Sequence, residues 1–466
     1  ITATGYSAAW NSTDQVPQRA LASRAIERFG AIDPSDRGST SRYSLSYRAE
    51  RADSDGGFKV NAYVVRSRLD LYSNFTFFLE HPADLDQMQI DGDQFEQNER
   101  RTVYGLAASR SWSGSVAGRE MTNSVGLQLR HDRLDPVGLY DSVGGQRVAT
   151  TQQSRVRQTG VGLYAENALQ WTRWLRSVAG LRADRVDFEV ASSIAENSGN
   201  RHATIVSPKL SLIFGPWDKT EYFVNAGYGY HSNDARGATA TVFAKPDAAG
   251  VRQPADPAAP LVRSIGYELG VRTGLVPGLQ SSLALWRLAL DSELVFVGDA
   301  GETEASRAST RYGIEWNNHY IAARWLLLDL DLALSHARFR GPAADGTTGD
   351  RIPGAIGKVA SFGATVTDLG PWFGQFQLRY FGPRPLIEDD TQRSRATTLA
   401  SVRVGFKVTK DVRVALDVFN LFDRNASDID YSYVSRLKGE PAAGVADIHS
   451  HPAEPRSVRL TLTANF

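Results

Sequence analysis

The sequence predicts an all-β fold: a transmembrane antiparallel up-and-down β-barrel with about eighteen strands visible. Three observations carry this reading. Apolar residues recur with a period of two along nearly the whole chain. The connections between the alternating segments are long and short in turn. No run approaches the roughly 18 apolar residues of a membrane helix; the densest, Trp325–Leu334, already contains Asp329 and Asp331.

The strands fall near 1–10, 40–52, 58–78, 100–112, 118–132, 156–168, 175–190, 204–214, 221–230, 263–273, 279–296, 309–317, 325–339, 355–367, 372–381, 395–407, 412–422 and 456–466. In the second, Tyr43, Leu45 and Tyr47 alternate with Ser44, Ser46 and Arg48. In the ninth, Tyr222, Val224, Ala226, Tyr228 and Tyr230 alternate with Asn225, Gly227, Gly229 and His231. The clearest is the thirteenth, where Leu326, Leu328, Leu330, Leu332 and Leu334 oppose Asp329, Asp331 and Ser335. A helix would scatter five leucines at this spacing around its circumference, whereas a strand puts them on one face. Further on, Trp372, Phe376, Leu378 and Tyr380 oppose Gln375, Gln377 and Arg379. Val402, Val404 and Phe406 form the next apolar face, then Val412, Val414, Leu416 and Val418. The last holds Val458, Leu460, Leu462, Ala464 and Phe466.

Short connections fall near 53–57, 113–117, 169–174, 215–220, 274–278, 318–324, 368–371 and 408–411. They carry turn chemistry such as Asp53-Ser54-Asp55-Gly56-Gly57. Long ones fall near 11–39, 79–99, 133–155, 191–203, 231–262, 297–308, 340–354, 382–394 and 423–455. Long connections at one end only suit an outer-membrane barrel with short periplasmic turns and long extracellular loops. A sandwich, propeller or β-helix is the competing reading, and no fixed repeat period supports it. In a barrel the apolar face meets lipid and the polar face the lumen. Trp217, Trp325, Trp372, Tyr43 and Tyr230 sit near strand ends, where interfacial aromatic girdles belong.

Composition narrows the function classes. Lys+Arg 52 balances Asp+Glu 52, which argues against a dedicated nucleic-acid binder. Cysteine is absent, so disulfides, thiolate metal sites and cysteine nucleophiles are excluded. A mean hydropathy of -0.32 is compatible with alternating barrel strands. The chain opens on Ile1 with no signal peptide, as a mature chain or a piece of a longer one does. The 41 glycines lack the strand–helix context of nucleotide-binding motifs. His131 and His336 have no convincing serine partner, and Asp132 beside His131 is a weak pair. The reading is therefore not an enzyme.

Several clusters are candidates for ligand contact. His231, Asn233, Asp234 and Arg236 leave a strand and open a long loop, either lining a vestibule or bonding their own loop backbone. Arg379 and Arg384 flank another strand exit, where they could grip an anion or belong to a lattice of ion pairs in the lumen. Asp447, His449 and His451 form D-x-H-x-H, a weak metal candidate without a third firm ligand. Asp84, Asp86, Asp91, Asp93, Glu96 and Glu99 make an acidic loop that could take Ca2+, although the EF-hand order is missing. No other cofactor is expected.

Four segments resemble the TonB-dependent outer-membrane receptors. Leu416-Asp417-Val418-Phe419-Asn420-Leu421-Phe422-Asp423 is similar to that family's penultimate strand. Tyr267-Glu268-Leu269-Gly270-Val271-Arg272 is similar to its mid-barrel E-x-G-x-[KR]. Leu378–Leu386 resembles a strand-to-loop exit seen there, and Ser207-Pro208-Lys209-Leu210 is a weaker match. The resemblance implies a twenty-two-strand barrel with a plugged lumen. Residues 1–466 then form the barrel domain, with the plug and about four leading strands not in this chain. It further implies a bacterial outer-membrane location and active uptake of a large scarce nutrient, such as a ferric siderophore or cobalamin. The partners it implies are the TonB-ExbB-ExbD complex acting through the plug, outer-membrane lipid, the barrel-assembly machinery reading Phe466, and a small-molecule or metal-chelate ligand; nucleic acid is not among them. The alternative is a passive porin-like channel that closes at eighteen strands.

Overall fold

The computed structural model describes residues 1–466 apart from 13–14, 81–91, 248, 298–301, 306, 343–345, 347 and 466. An 18-stranded antiparallel sheet dominates it. The strands are Thr2–Asn11, Arg37–Asp53, Gly56–Ser73, Phe95–Val116, Arg119–Val143, Gln146–Thr172, Leu175–Ser192, Gly199–Trp217 and Thr220–Ser232, followed by Leu261–Thr273, Leu279–Leu290, Ser309–Ala323, Leu326–Phe339, Lys358–Leu369, Trp372–Phe381, Thr397–Lys407, Val412–Phe419 and Ser457–Ala464. Each matches one predicted segment in order, and each pairs with the next strand of this list.

The two ends of the sheet do not meet. Among the described residues, Thr2–Asn11 pairs only with Arg37–Asp53, and Ser457–Ala464 only with Val412–Phe419. A barrel sealed at eighteen strands needs those two edges to pair with each other, so the eighteen-strand closure is not what this sheet does.

Side-chain direction follows the alternation. Leu45, Leu181, Leu269 and Leu460 stand on the outer face, 51% to 72% exposed. The inner face is polar and internally paired. Asp132, 1% exposed, accepts from Arg101 at 2.6 Å and from Arg130 at 2.7 Å. Arg182 holds Asp184, Arg403 holds Asp417 and Lys209 holds Glu166. Charges taken from bulk water into a wall persist only when paired in this way. Aromatics cluster at the short-turn end: Trp174 stacks on Trp217 at 6.3 Å, and Trp372 meets Phe406 edge-on at 4.9 Å. Trp325 and Tyr43 are also exposed. Pairing between Gly199–Trp217 and Thr220–Ser232 ends at Gly227↔Lys209, while the last residues of that strand stay paired with Leu261–Thr273 as far as Ser232↔Leu261.

One expected loop is absent. Residues 133–155 are not a long irregular connection but the top of one hairpin, Arg119–Val143 with Gln146–Thr172. Its turn is Gly144-Gly145, with φ of 56° and 73°. Two positive φ values in a two-residue turn match the twist of the flanking strands, and glycine adopts them at no steric cost.

Candidate functional site

The site begins where strands leave the sheet at the long-loop end. Loop 233–260 does not stand away from the wall. Its neck is tied by Asn233, whose backbone N–H donates to Pro260 O at 3.1 Å and whose Nδ2 donates to Ala259 O at 2.7 Å. The short helix Ala235–Thr239 follows. Asp234 caps it, accepting from the Arg236 N–H at 2.8 Å, and so satisfies one of the free first-turn donors. The same carboxylate takes the Arg236 guanidinium at 3.0 and 2.7 Å. Burial alone would raise the Asp234 carboxyl, but Arg236, with Arg101 from the wall, holds it below the usual carboxylate range.

The helix lies inside the mouth. Ala235 and Ala238 pack on Val137, Val156, Val186, Phe188 and Val190, with Leu134, Ala203 and Leu261 around them. The valines and Phe188 share the inward face of their strands with Asp184, so the top of the wall carries an apolar floor for this loop. Asn197 secures it from below: its Oδ1 accepts from the N–H groups of Thr241 and Val242, and its Nδ2 donates to Val242 O. Of the predicted vestibule residues, Asp234 and Arg236 satisfy each other. His231 Nε2 and Asn233 Oδ1 are buried without a protein partner among the described residues.

A second loop cluster lies over the same end. Val16–Pro17, Val445–Pro452 and Ser427–Ser435 form a three-stranded sheet. Arg19 ties it together. Its Nε donates to Glu440 at 2.8 Å, its backbone N–H to Asp447 at 2.8 Å, and a terminal nitrogen to Ser435 O at 3.0 Å. Arg19 is the largest influence on the Glu440 carboxyl and holds it below its ordinary value.

His449 is fully buried here. Its ring lies flat on Tyr433, Nε2 is 2.7 Å from Ser435 Oγ, and Nδ1 is 3.1 Å from Asp447 O. A carbonyl only accepts, so Nδ1 carries the proton and Nε2 accepts from the Ser435 hydroxyl. Burial pushes the imidazole down to about 4. Both nitrogens are thus committed, while His451 is half-exposed and reaches toward Asp428 at 3.9 Å. Asp447, His449 and His451 do not converge, and among the described residues no group of three or more His, Asp or Glu could hold a metal ion.

Arg384 is also structural. It donates to Asp428 O at 3.1 Å and lies 3.9 Å from Asp430, joining loop 382–396 to the mouth sheet. Arg379 is exposed on the inner face of Trp372–Phe381 and has no ion-pair partner among the described residues. In the acidic loop, Asp84, Asp86 and Asp91 lie outside the described residues. Asp93 accepts from Thr76 Oγ1 and from the N–H groups of Leu79 and Glu80, and Glu96 is held in a fork by Arg147. Phe466 lies outside the described residues. Arg19, Asn197 and Tyr433 escaped the sequence reading, because their importance comes from partners that only folding brings near.

An up-and-down antiparallel sheet with an apolar outer face, a paired polar inner face and loops folded over one end has the pattern of a membrane β-barrel wall. Residues 2–421 match the family described as "TonB dependent receptor-like, beta-barrel". The chain belongs to that family. Three solved structures share the fold. They are the ferric-catecholate import receptor Fiu from E. coli K12 (13% identity, TM-score 0.73), the ferric yersiniabactin uptake receptor FyuA from Yersinia pestis (15%, 0.72) and the ferric citrate transporter FecA (14%, 0.71). Each covers 99% or 100% of this chain, while this chain spans 71%, 67% and 66% of theirs. No curated protein matches the chain in sequence.

Proposed function

We propose that residues 1–466 form one barrel domain of an outer-membrane receptor that actively imports a large, scarce nutrient. The observation that carries this is the mouth: two folded loop clusters, held by Asn197 and Arg19, rest over a polar inner wall. The structural neighbours Fiu, FyuA and FecA are receptors or transporters of ferric chelates, which favours a chelated metal as cargo here. The chain does no covalent chemistry on that cargo in this reading. Energy comes from TonB-ExbB-ExbD through a plug outside this chain, the assembly machinery reads the terminal Phe466, and no resident cofactor is needed.

Within the mouth, among the described residues, His231 Nε2 and Asn233 Oδ1 are buried without a protein partner, and Arg379 on the inner wall has no ion-pair partner. These three are the residues proposed to meet the ligand. Asp234, Arg236 and Arg384 shape the walls instead. The test is energised uptake of radiolabelled ferric chelates by cells bearing the complete receptor, with and without the loop 231–262. Loss of ligand binding with normal barrel assembly is the expected result. Undiminished binding by the deletion removes the vestibule assignment.

A further inference from the structure

Four neighbouring strands, Ser309–Ala323, Leu326–Phe339, Lys358–Leu369 and Trp372–Phe381, set one row of side chains across the inner wall. Asn317 stands opposite Asp331, Asp331 opposite Ser361, and Ser361 opposite Arg379. Directly opposed residues share a face. Ile314, Leu334 and Phe362 are exposed on the outer one, so this row faces inward. Glu315 precedes Asn317 by two residues on its strand and joins the same face.

Elsewhere on this face acids are spent on cations: Asp132, Asp184, Asp417 and Glu166 each hold an arginine or a lysine. Nearer the short turns, Asp329 lies 2.6 Å from His319 Nδ1. Glu315, Asn317, Asp331 and Arg379 are exposed, and none has a hydrogen-bond or ion-pair partner among the described residues. Residues 306, 343–345 and 347, outside the described set, join these strands beyond Ser309 and Phe339. Those strand ends stand at least about 20 Å above Glu315 and Asp331 at the usual rise per residue. Gly341 and Gly349, which bracket 343–347, both accept from Arg307 at the mouth.

The row therefore has two poles. Glu315, Asn317 and Asp331 present three acceptors, which match the three donors of an ammonium group. A cation between the two carboxylates also relieves their mutual repulsion. Arg379 presents a fork that fits a carboxylate. The bases of Asp331 and Arg379 are two strand spacings apart, about 10 Å. Only Ser361 stands between them, and Val359 opposite Phe381 forms an apolar edge above it. Asn317 and Asp331 also line a cavity of about 700 Å3. Because the sheet fixes both poles, a ligand bearing both charges needs no rearrangement of the wall.

We infer that Glu315, Asn317, Asp331 and Arg379 form a seat for a zwitterionic, amino-acid-like end of the cargo, its ammonium on the first three and its carboxylate on Arg379. This rests on the receptor reading above and adds to it the chemical class of the cargo.

The experiment is calorimetric binding to the complete receptor in detergent. The probe is a ferric trihydroxamate joined to lysine through the lysine side chain, so that the α-amine and α-carboxylate stay free. Two blocked probes carry an acetylated amine or a methyl ester. The wild type should bind the free probe at least about tenfold more tightly than either blocked one, as the loss of one charge-assisted contact implies. Glu315→Gln/Asp331→Asn should lose the preference over the acetylated probe and keep that over the ester. Arg379→Gln should do the reverse, and Arg379→Lys should recover part of it. Equal binding of the three probes by the wild type, no binding of the free probe, or variants that weaken all probes alike overturn the proposal; the wild-type comparison needs no variant to fold. Energised uptake of ferric chelates is scored separately. Its absence overturns the receptor reading, while uptake without preference for the free probe overturns only this seat.

Discussion

The imidazole of His449 lies on the phenol ring of Tyr433 with centroids 3.7 Å apart and planes 11° apart. This stack joins the two long strands of the mouth sheet. Ser435 Oγ completes it, accepting from Arg19 at 2.9 Å while facing His449 Nε2. Arg19 in turn donates to the carboxylate of Asp447, whose backbone carbonyl takes the His449 proton. Residues distant in sequence thus close one ring of hydrogen bonds.

That ring makes the mouth sheet acid-sensitive. Burial lowers the His449 pKa from 6.5 to about 4, so the folded loop resists a proton that the unfolded loop accepts. The stabilisation is complete above pH 6.5 and is lost as the pH falls toward 4. Its size is on the order of 3 kcal/mol. Amide exchange at 427–435 and 445–452 should accelerate between pH 6.5 and 4.5, beyond the intrinsic pH effect, while the wall strands stay protected. Uniform protection down to pH 4.5 refutes the assignment.

Asp132 neutralises two arginines on the inner wall, and replacing it strands both. Asp132→Ala should cost about 2 kcal/mol. This is less than the roughly 3–5 kcal/mol of a fully buried pair, since Arg101 and Arg130 reach water. The temperature at which the folded barrel loses its fast gel mobility should fall. An unchanged transition places Asp132 outside the wall's stability.

Asp234→Ala removes the helix cap and the partner of Arg236. A loss of about 1 kcal/mol is expected, confined to loop 233–260. Faster proteolysis of that loop, with an unaltered barrel transition, is the predicted signature. Global destabilisation would contradict a local role.

Gly145→Val should loosen the tip of the long hairpin. The residue has φ of 73°, and a Cβ there would meet the Arg37 guanidinium at 2.2 Å. The left-handed conformation alone costs a branched residue about 1–2 kcal/mol. Exchange should rise at 137–150 and not at 160–172; no rise at the tip argues against the turn.

The wall was legible because its physics is local. Leu326 to Leu334 need only a pleated backbone and an apolar neighbour to declare their face, and the same holds for Val402, Val404 and Phe406. The hairpin at 133–155 misled because the strands run on past the apolar band. The signal that could have corrected it, Gly144-Gly145 between alternating segments, is also local. Mouth residues were legible by type and not by role. Asp234 reads equally as a ligand group or a cap until Arg236 is seen in its grasp, and His449 reads as a metal ligand until Ser435 and Asp447 occupy its nitrogens.

What the sequence alone determined is the all-β class, the eighteen strands in order and the two faces, since a period of two projects directly onto a sheet. Only the tertiary structure decided which polar residues are spent on one another. It folded the helix Ala235–Thr239 onto an apolar floor inside the mouth and left the edges Thr2–Asn11 and Ser457–Ala464 unjoined among the described residues. Those outcomes depend on contacts between residues far apart in the chain, and periodicity carries no information about such partners.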